Sequence, residues 1–396
     1  MATAVLDLDL DSLPPEITGL DRYVKALILI RFKGKPIGKT EILVTDGRIS
    51  IEDNYFHLLD AVKYTWWTKW LHDYLDWDER NVTNLPPPTA TVAVCTRNRT
   101  DDLKRCLDAL MRLPDDGQEY LVIDNCPSND DTQKLVETYG RVRYIRENRP
   151  GLNIARNRAL LEARHEIVAF TDDDATPDPG WLRAILRNFF SPLVISVTGL
   201  TMPLELETEA QEAFENYSSF SKGFNRKIFS SSTHNPLATG QVGAGANMAF
   251  RRSVQQEVGL FDEALDAGTL TQSGGDHEYF ARILMAGYHI IYEPEALCWH
   301  RHRRTWEETR KAINGYGVGV YAFWTRLLVV EREFGILKFP IGWFRHIQLP
   351  NLVKAILRRP GSQPLDLILA ELRGCLVGPW AYMSARRRLK NKNMRA

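Results

Sequence analysis

Several features that would announce a simple class are missing from this chain. No uninterrupted run of about 18 apolar residues occurs in its 396 residues, so no membrane-spanning helix is expected. Cysteine is sparse, and Cys95, Cys106, Cys126, Cys298 and Cys375 include no Cys-x-x-Cys pair. An odd, scattered set of thiols argues against a disulfide framework or a cysteine zinc site, and for reduced thiols in the cytoplasm. The acidic start (Asp7, Asp9, Asp11) lacks the basic and apolar order of a signal peptide, which again leads to a cytoplasmic expectation. No Gly-x-Gly-x-x-Gly follows the first strand of the alternating region, and no complete Gly-x-x-x-x-Gly-Lys-Ser/Thr occurs. An ordinary dinucleotide or P-loop site is therefore not expected. Formal net charge is zero, so the chain as a whole has no polyanion-binding signature, and no nucleic-acid motif is present. The charge is unevenly spread, however: from Phe323 onward there are 14 Lys/Arg against 4 Asp/Glu, leaving the rest net negative by ten.

What is present falls into three parts. Residues 24–32 and 40–44 read as strands joined by a Gly/Pro turn, followed by a helix over about 55–74. Trp66, Trp67 and Trp70 give that helix an aromatic face at i, i+4 spacing, expected to be buried. Asn84-Leu85-Pro86-Pro87-Pro88 is a semi-rigid linker, so residues 1–87 are expected to form a small α+β unit. From residue 90, apolar strands alternate with helices: 90–95, 119–125, 142–146 and 167–172. That pattern predicts an α/β fold with a mainly parallel sheet flanked by helices over 88–322. A helix is expected within 207–220, and a mobile acceptor-side loop within 201–239. Residues 323–396 are expected to be helical, amphipathic and basic.

The stretch Ile167-Val168-Ala169-Phe170-Thr171-Asp172-Asp173-Asp174 carries the most chemistry. A buried-type strand ends in three carboxylates, which repel unless a cation or solvent answers them. In an open α/β sheet, the C-terminal ends of the strands are where ligands sit. At that same edge stand Thr96, Arg97 and Arg99 after the first strand and Asp124 after the second. Asn153, Arg156 and Arg158 lie near the start of a helix. Carboxylates for a divalent metal beside arginines suit a phosphorylated ligand. Gly274-Gly275-Asp276 opens a helix of 276–285, in which Phe280/Leu284 and Tyr279/Ile283 pack inward and Glu278 pairs with Arg282. Taken alone, Asp276 is a helix-capping residue.

The ordered series Val94-Cys95-Thr96-Arg97-Asn98-Arg99, Val122-Ile123-Asp124-Asn125, Gly151-Leu152-Asn153-Ile154-Ala155-Arg156-Asn157 and Asp172-Asp173-Asp174 resembles glycosyltransferase family 2. The likeness continues through Gly245-Ala246-Asn247, Gly259-Leu260-Phe261-Asp262-Glu263, Gly274-Gly275-Asp276-His277-Glu278, Ala286-Gly287-Tyr288, Glu293-Pro294 and Trp299-His300. The resemblance implies a GT-A fold and an inverting enzyme that uses a nucleotide-diphosphate sugar, with a uridine nucleotide favoured, and a saccharide or glycolipid acceptor. It implies Mn2+ or Mg2+ held by Asp174 and His300, with His302 second. Thr96, Arg97, Arg99, Asp124, Asn153, Arg156, Asp172, Asp173 and Gly275 would serve substrate binding, with Asp172 at ribose or base. Asn247 would face the sugar. Asp276 matches the family's catalytic base, with His277 a weaker candidate. Two other readings share these features. A sugar-phosphate nucleotidyltransferase would expect glycine in the loop after the first strand, which Thr96-Arg97-Asn98-Arg99 lacks. An inactive nucleotide-sugar-binding scaffold would not need both Asp174 and Asp276. The aromatic and basic C-terminal region suits either packing on the central domain or contact with an anionic membrane surface.

Overall fold

The computed structural model describes residues 2–75 and 88–393, so the expected linker, apart from Pro88, lies outside the described residues. A nine-stranded mixed sheet organises the centre. Its main path runs Ala175–Pro177, His289–His300, Val194–Pro203, Asn247–Arg251, Ile167–Asp172, Ala90–Thr96, Glu119–Asn125, Val142–Glu147, and Lys227–Phe229 pairs beside it. Six of these nine strands run in one direction, the four βα-alternating strands among them. Their register brings Thr96 opposite Asp124, and Cys95 opposite Asp172. The polar residue that ends each strand therefore lies on one edge of the sheet. Both faces of the sheet are buried, with Val92, Val94 and Val122 in one apolar cluster and Ala93, Leu121 and Ile123 in another. That is why these strands read as continuous apolar runs rather than alternating ones.

The N-terminal unit contains the expected hairpin, Lys25–Phe32 with Lys35–Leu43, and the helix Ile51–Tyr74. It also has a strand that the acidic residues concealed: Thr3–Asp9 pairs in parallel with Lys25–Phe32. One face of Lys25–Phe32 (Ala26, Ile28, Ile30) packs on Leu58 and Val62 of the helix. The other face (Leu27, Leu29) enters the core of the large sheet. Ion pairs Arg31–Asp178 (2.7 Å), Lys39–Glu215 (2.8 Å) and Lys69–Glu295 (2.6 Å) tie the unit to the central sheet. The tryptophan face is only half covered. Trp66 and Trp70 pack on the N-terminal core, whereas Trp67 is 55% exposed in a stack with Trp70.

Within 201–239 the expected helix is present, and part of the expected loop is strand. The strand Val194–Pro203 extends through Thr201, and the helix is Glu209–Ser218, capped by a Thr208/Gln211 box. Beyond the sheet, helix Trp306–Arg326 crosses Leu365–Asn393 in the same direction, since Asn314 meets Ala370 while Ala322 clusters with Tyr382. At Gly317 and Gly374 an added Cβ would collide with the backbone of the facing helix. Glycine is thus required there for close approach rather than for flexibility. No helix among the described residues is long and apolar enough to cross a membrane.

Candidate active site

The acidic turn is held by its surroundings. Thr96 Oγ1 donates to Asp173 Oδ2 at 2.7 Å. Arg99 reaches Asp173 Oδ1 at 2.7 Å and Asp174 Oδ2 at 2.8 Å. His300 arrives from more than a hundred residues away because Ala175 pairs with His300 in antiparallel register, which puts His300 Nε2 3.1 Å from Asp174 Oδ1. Burial alone would raise the Asp174 pKa, but His300 and Arg99 hold it far below the usual carboxylate range. Asp173, buried and repelled by the charge of Asp174, is pushed up to about 7 despite Arg99 and Thr96. Burial and Asp174 also raise Asp172. His300 is raised, because the attraction of Asp174 exceeds the cost of its burial.

One donor atom from each of Asp172, Asp174 and His300 lies within 4.8 Å of the others. Two carboxylate oxygens and one imidazole nitrogen fit a divalent cation such as Mn2+ or Mg2+. A buried cluster whose carboxylate repulsion already raises the pKa of Asp172 also favours an added positive charge. Asp172, expected at the nucleoside, thus also stands among the candidate metal donors.

A second carboxylate centre lies in the same cavity. Asp276 opens the helix Gly275–Met285, and its Oδ2 accepts the Gly245 N–H at 2.8 Å. Burial would raise its pKa, but His277, Arg156 and two backbone amides outweigh that and keep it below the ordinary value. Asp276 is therefore ionised at neutral pH. Arg156 is 4% exposed, and its Nη1 donates to Asp266 Oδ2 at 2.6 Å and to Asn153 Oδ1 at 3.2 Å. Asp266 has no sequence motif and sits at φ +81°, a left-handed conformation uncommon for aspartate. Only the structure reveals it.

A cavity of about 760 Å³ joins the two centres, lined by Thr96, Arg97, Arg99, Arg156, the three aspartates, Asp276 and His300. Four other expected ligand-facing residues do not line it. Asn247 is fully buried: its Nδ2 donates to Leu200 O and Ala296 O, and its Oδ1 accepts from Trp181. With these bonds made, its amide ties three strands and a helix together rather than facing a sugar. Asn153 is likewise consumed, bonding Asp262 O and orienting Arg156. Gly275 has no room for a side chain against Asn153 and Asp266, so its smallness serves packing. Asp124 is buried below the edge, accepting from Tyr144 at 2.8 Å, and its Oδ1 has no hydrogen-bond partner among the described residues.

Residues with no motif complete the cavity. Tyr217 comes from the last turn of the helix Glu209–Ser218 and Phe220 from the segment after it, Tyr316 from the helix Trp306–Arg326, and Trp343 and Glu371 from the C-terminal helices. His302 backs His300, their Nδ1 atoms 3.3 Å apart, and its Nε2 is 3.1 Å from Glu215. Though nearly fully buried, His302 also lines the cavity beside His300. The expected Glu278–Arg282 pair forms, and Arg326 joins it.

Comparison with known proteins adds independent information. Residues 91–259 match the family model described as Glycosyl transferase family 2. The chain is 29% identical over 286 residues to the pre-mycofactocin glycosyltransferase of Mycobacterium tuberculosis, covering 69% of this chain and 54% of that protein. It therefore spans about half the length of that relative. It is 26% identical over 286 residues to glycosyltransferase AglE of Haloferax volcanii, covering 69% of this chain and 87% of that one. A solved mannosyltransferase from Pyrobaculum calidifontis, in complex with GDP-Man and Mn2+, aligns with TM-score 0.45 at 19% identity over 82% and 83% of the two chains.

Proposed function

We propose that the chain is a glycosyltransferase of family 2 with a GT-A fold, carrying out an inverting, metal-assisted transfer from a nucleotide-diphosphate sugar to an acceptor hydroxyl; the family match over residues 91–259 and the mixed α/β sheet support this reading. One observation supports this reading above the others. The Asp172/Asp174/His300 cluster and the ionised Asp276 line the same cavity. A leaving diphosphate and an attacking hydroxyl need such separate groups at one anomeric carbon.

In this reading Asp174 and His300, with Asp172 as third donor, hold Mn2+ or Mg2+. When bound, that ion neutralises charge on the departing diphosphate. Thr96, Arg97, Arg99 and Arg156, which line the cavity, orient the nucleotide. A uridine nucleotide is the favoured donor. Asp266 acts through Arg156 as a positioning residue. Asp276 takes the acceptor hydroxyl proton as the oxygen attacks the anomeric carbon and the nucleotide diphosphate leaves from the opposite face, giving inversion. Its lowered pKa keeps it in the proton-accepting form, while the Gly245 and His277 amides fix its orientation. The product would belong to polysaccharide, glycolipid or glycoconjugate synthesis. In organisation, residues 88–322 carry the chemistry, 1–87 brace the sheet, and 323–396 wall the acceptor side.

Nucleotide release from a panel of donor sugars, with and without Mn2+, tests the reading. Metal-dependent release that rises with an added acceptor is expected. Formation of a nucleotide sugar from a sugar phosphate, with no transfer, would replace this reading by the nucleotidyltransferase one.

A further inference from the structure

Nearly half of the large apolar side chains that are exposed among the described residues fall between Phe334 and Trp380. Over 334–363 the sequence holds five cations (Lys338, Arg345, Lys354, Arg358, Arg359) and no Asp or Glu. All five are exposed and none forms an ion pair among the described residues. Between them Leu337, Ile341, Phe344, Ile347 and Ile356 face solvent, Ile341 at 70% exposure. The inner side of the same segment is conventional: Ile336, Gln348 and Ala355 are buried, and Trp343 packs edge-on against Trp324 at 5.7 Å. Helix Leu365–Asn393, which touches helix Leu349–Ile356, continues the pattern outward with Leu369, Arg373, Leu376 and Trp380. Leu376 is 85% exposed and Trp380 64%.

Such a face is unfavourable in water unless something covers it. A second copy would set five unanswered cations against five, so self-association on this face is opposed by charge. An apolar surface with interleaved Lys/Arg and a peripheral Trp fits the headgroup boundary of an anionic bilayer, where the apolar chains insert and the cations meet phosphates. Since no helix among the described residues is long and apolar enough to cross a bilayer, the helices would lie in its plane. The inner side of these helices supplies Trp343 and Glu371 to the cavity. We propose that the outer face of residues 334–380 docks the enzyme on an anionic membrane, so that the cavity receives an acceptor anchored in that membrane. The acceptor half of this proposal rests on the glycosyltransferase reading, whereas the docking half does not.

The experiment is flotation of the full chain with phosphatidylcholine vesicles, with and without phosphatidylglycerol. Binding is expected to the anionic vesicles, to weaken in high salt, and to fall about fivefold for each cation removed. Arg358→Glu/Arg359→Glu tests the charge, and Ile341→Asp/Ile356→Asp the apolar contact, for which a tenfold or greater loss is expected. Thermal melts report whether each variant is folded. Should one misfold, the salt and lipid dependence of the unaltered chain and the other variant still decide. Equal binding to both vesicle types, or unchanged binding by folded variants, would overturn the proposal. So would a dimer in sedimentation that Ile341→Asp dissociates, or an acidic protein partner with no vesicle binding. Metal-dependent nucleotide binding, measured without vesicles, is expected to be unchanged in these variants. Its absence in the unaltered chain would instead refute the glycosyltransferase reading and leave docking to be judged on the flotation alone.

Discussion

The two walls of the cavity are built on opposite principles. On the sheet side, charges are buried and answer one another: Asp173 and Asp174 meet Arg99, Asp174 meets His300, and Asp266 meets Arg156. On the C-terminal side, helices approach through glycine on the inside, while apolar groups and unpaired cations remain outside. Buried charge gives geometric definition at a desolvation cost that only fixed partners offset. Exposed apolar surface gives no definition but gives affinity for something else. The first wall therefore suits chemistry, and the second suits location and acceptor choice.

The comparison can be broken first at Asp276. Asp276→Asn is expected to lower transfer by about 10²–10⁴-fold while nucleotide binding stays intact, as a general base removed without loss of shape should. Near-normal turnover would move the base elsewhere. Because its pKa is depressed, the acid fall-off in transfer should lie below the ordinary aspartate value of about 3.9. Next, Asp174→Ala should weaken metal-dependent nucleotide binding by at least about 100-fold, more than loss of an outer-shell partner would. Titration with Mn2+ reads this directly, and unchanged metal affinity would remove Asp174 from the metal site.

Stability changes come after these. Glu295 holds Lys69 of the N-terminal helix and Arg187 of the sheet domain. Burial would raise its pKa, yet these cations bring it down to about 2. A depressed carboxylate pKa contributes stability above the unfolded-state value, and that contribution fades as pH falls through the folded value. Glu295→Gln should therefore cost on the order of 3 kcal/mol at pH 7 in urea unfolding, with the deficit shrinking towards pH 2. A deficit independent of pH would mean that packing, and not charge, is what Glu295 supplies. The smallest effect is expected on the helical wall. Gly374→Ala should cost about 1–3 kcal/mol by forcing apart the helices Trp306–Arg326 and Leu365–Asn393, read as a lower Tm. No change in Tm would show that this crossing yields easily.

Much of the sheet side was legible in the chain. Strands with both faces buried leave runs such as Val92-Ala93-Val94, and a carboxylate after such a run marks an edge, so Asp124 and Asp172–Asp174 could be located. Asp276 followed from a glycine pair opening a helix, joined to a resemblance. For Asn247 the resemblance implied a place facing the sugar, whereas here its amide closes bonds to Leu200, Ala296 and Trp181. Asp266 was silent because its partner, Arg156, lies over a hundred residues earlier. His302 was seen, but its link to Glu215 was not, since nothing local joins them.

By itself, then, the sequence determined the alternation of elements, the edge on which ligands sit and the carboxylates offered there. These follow from short-range periodicity and from what a strand must do where it ends. Only the tertiary structure decided which of those groups meet. His300 reaches Asp174 through an antiparallel register, Glu371 reaches the cavity through a glycine-lined helix crossing, and Trp343 reaches it by packing on Trp324. Such meetings depend on distances between residues far apart in the chain, and no local pattern encodes them.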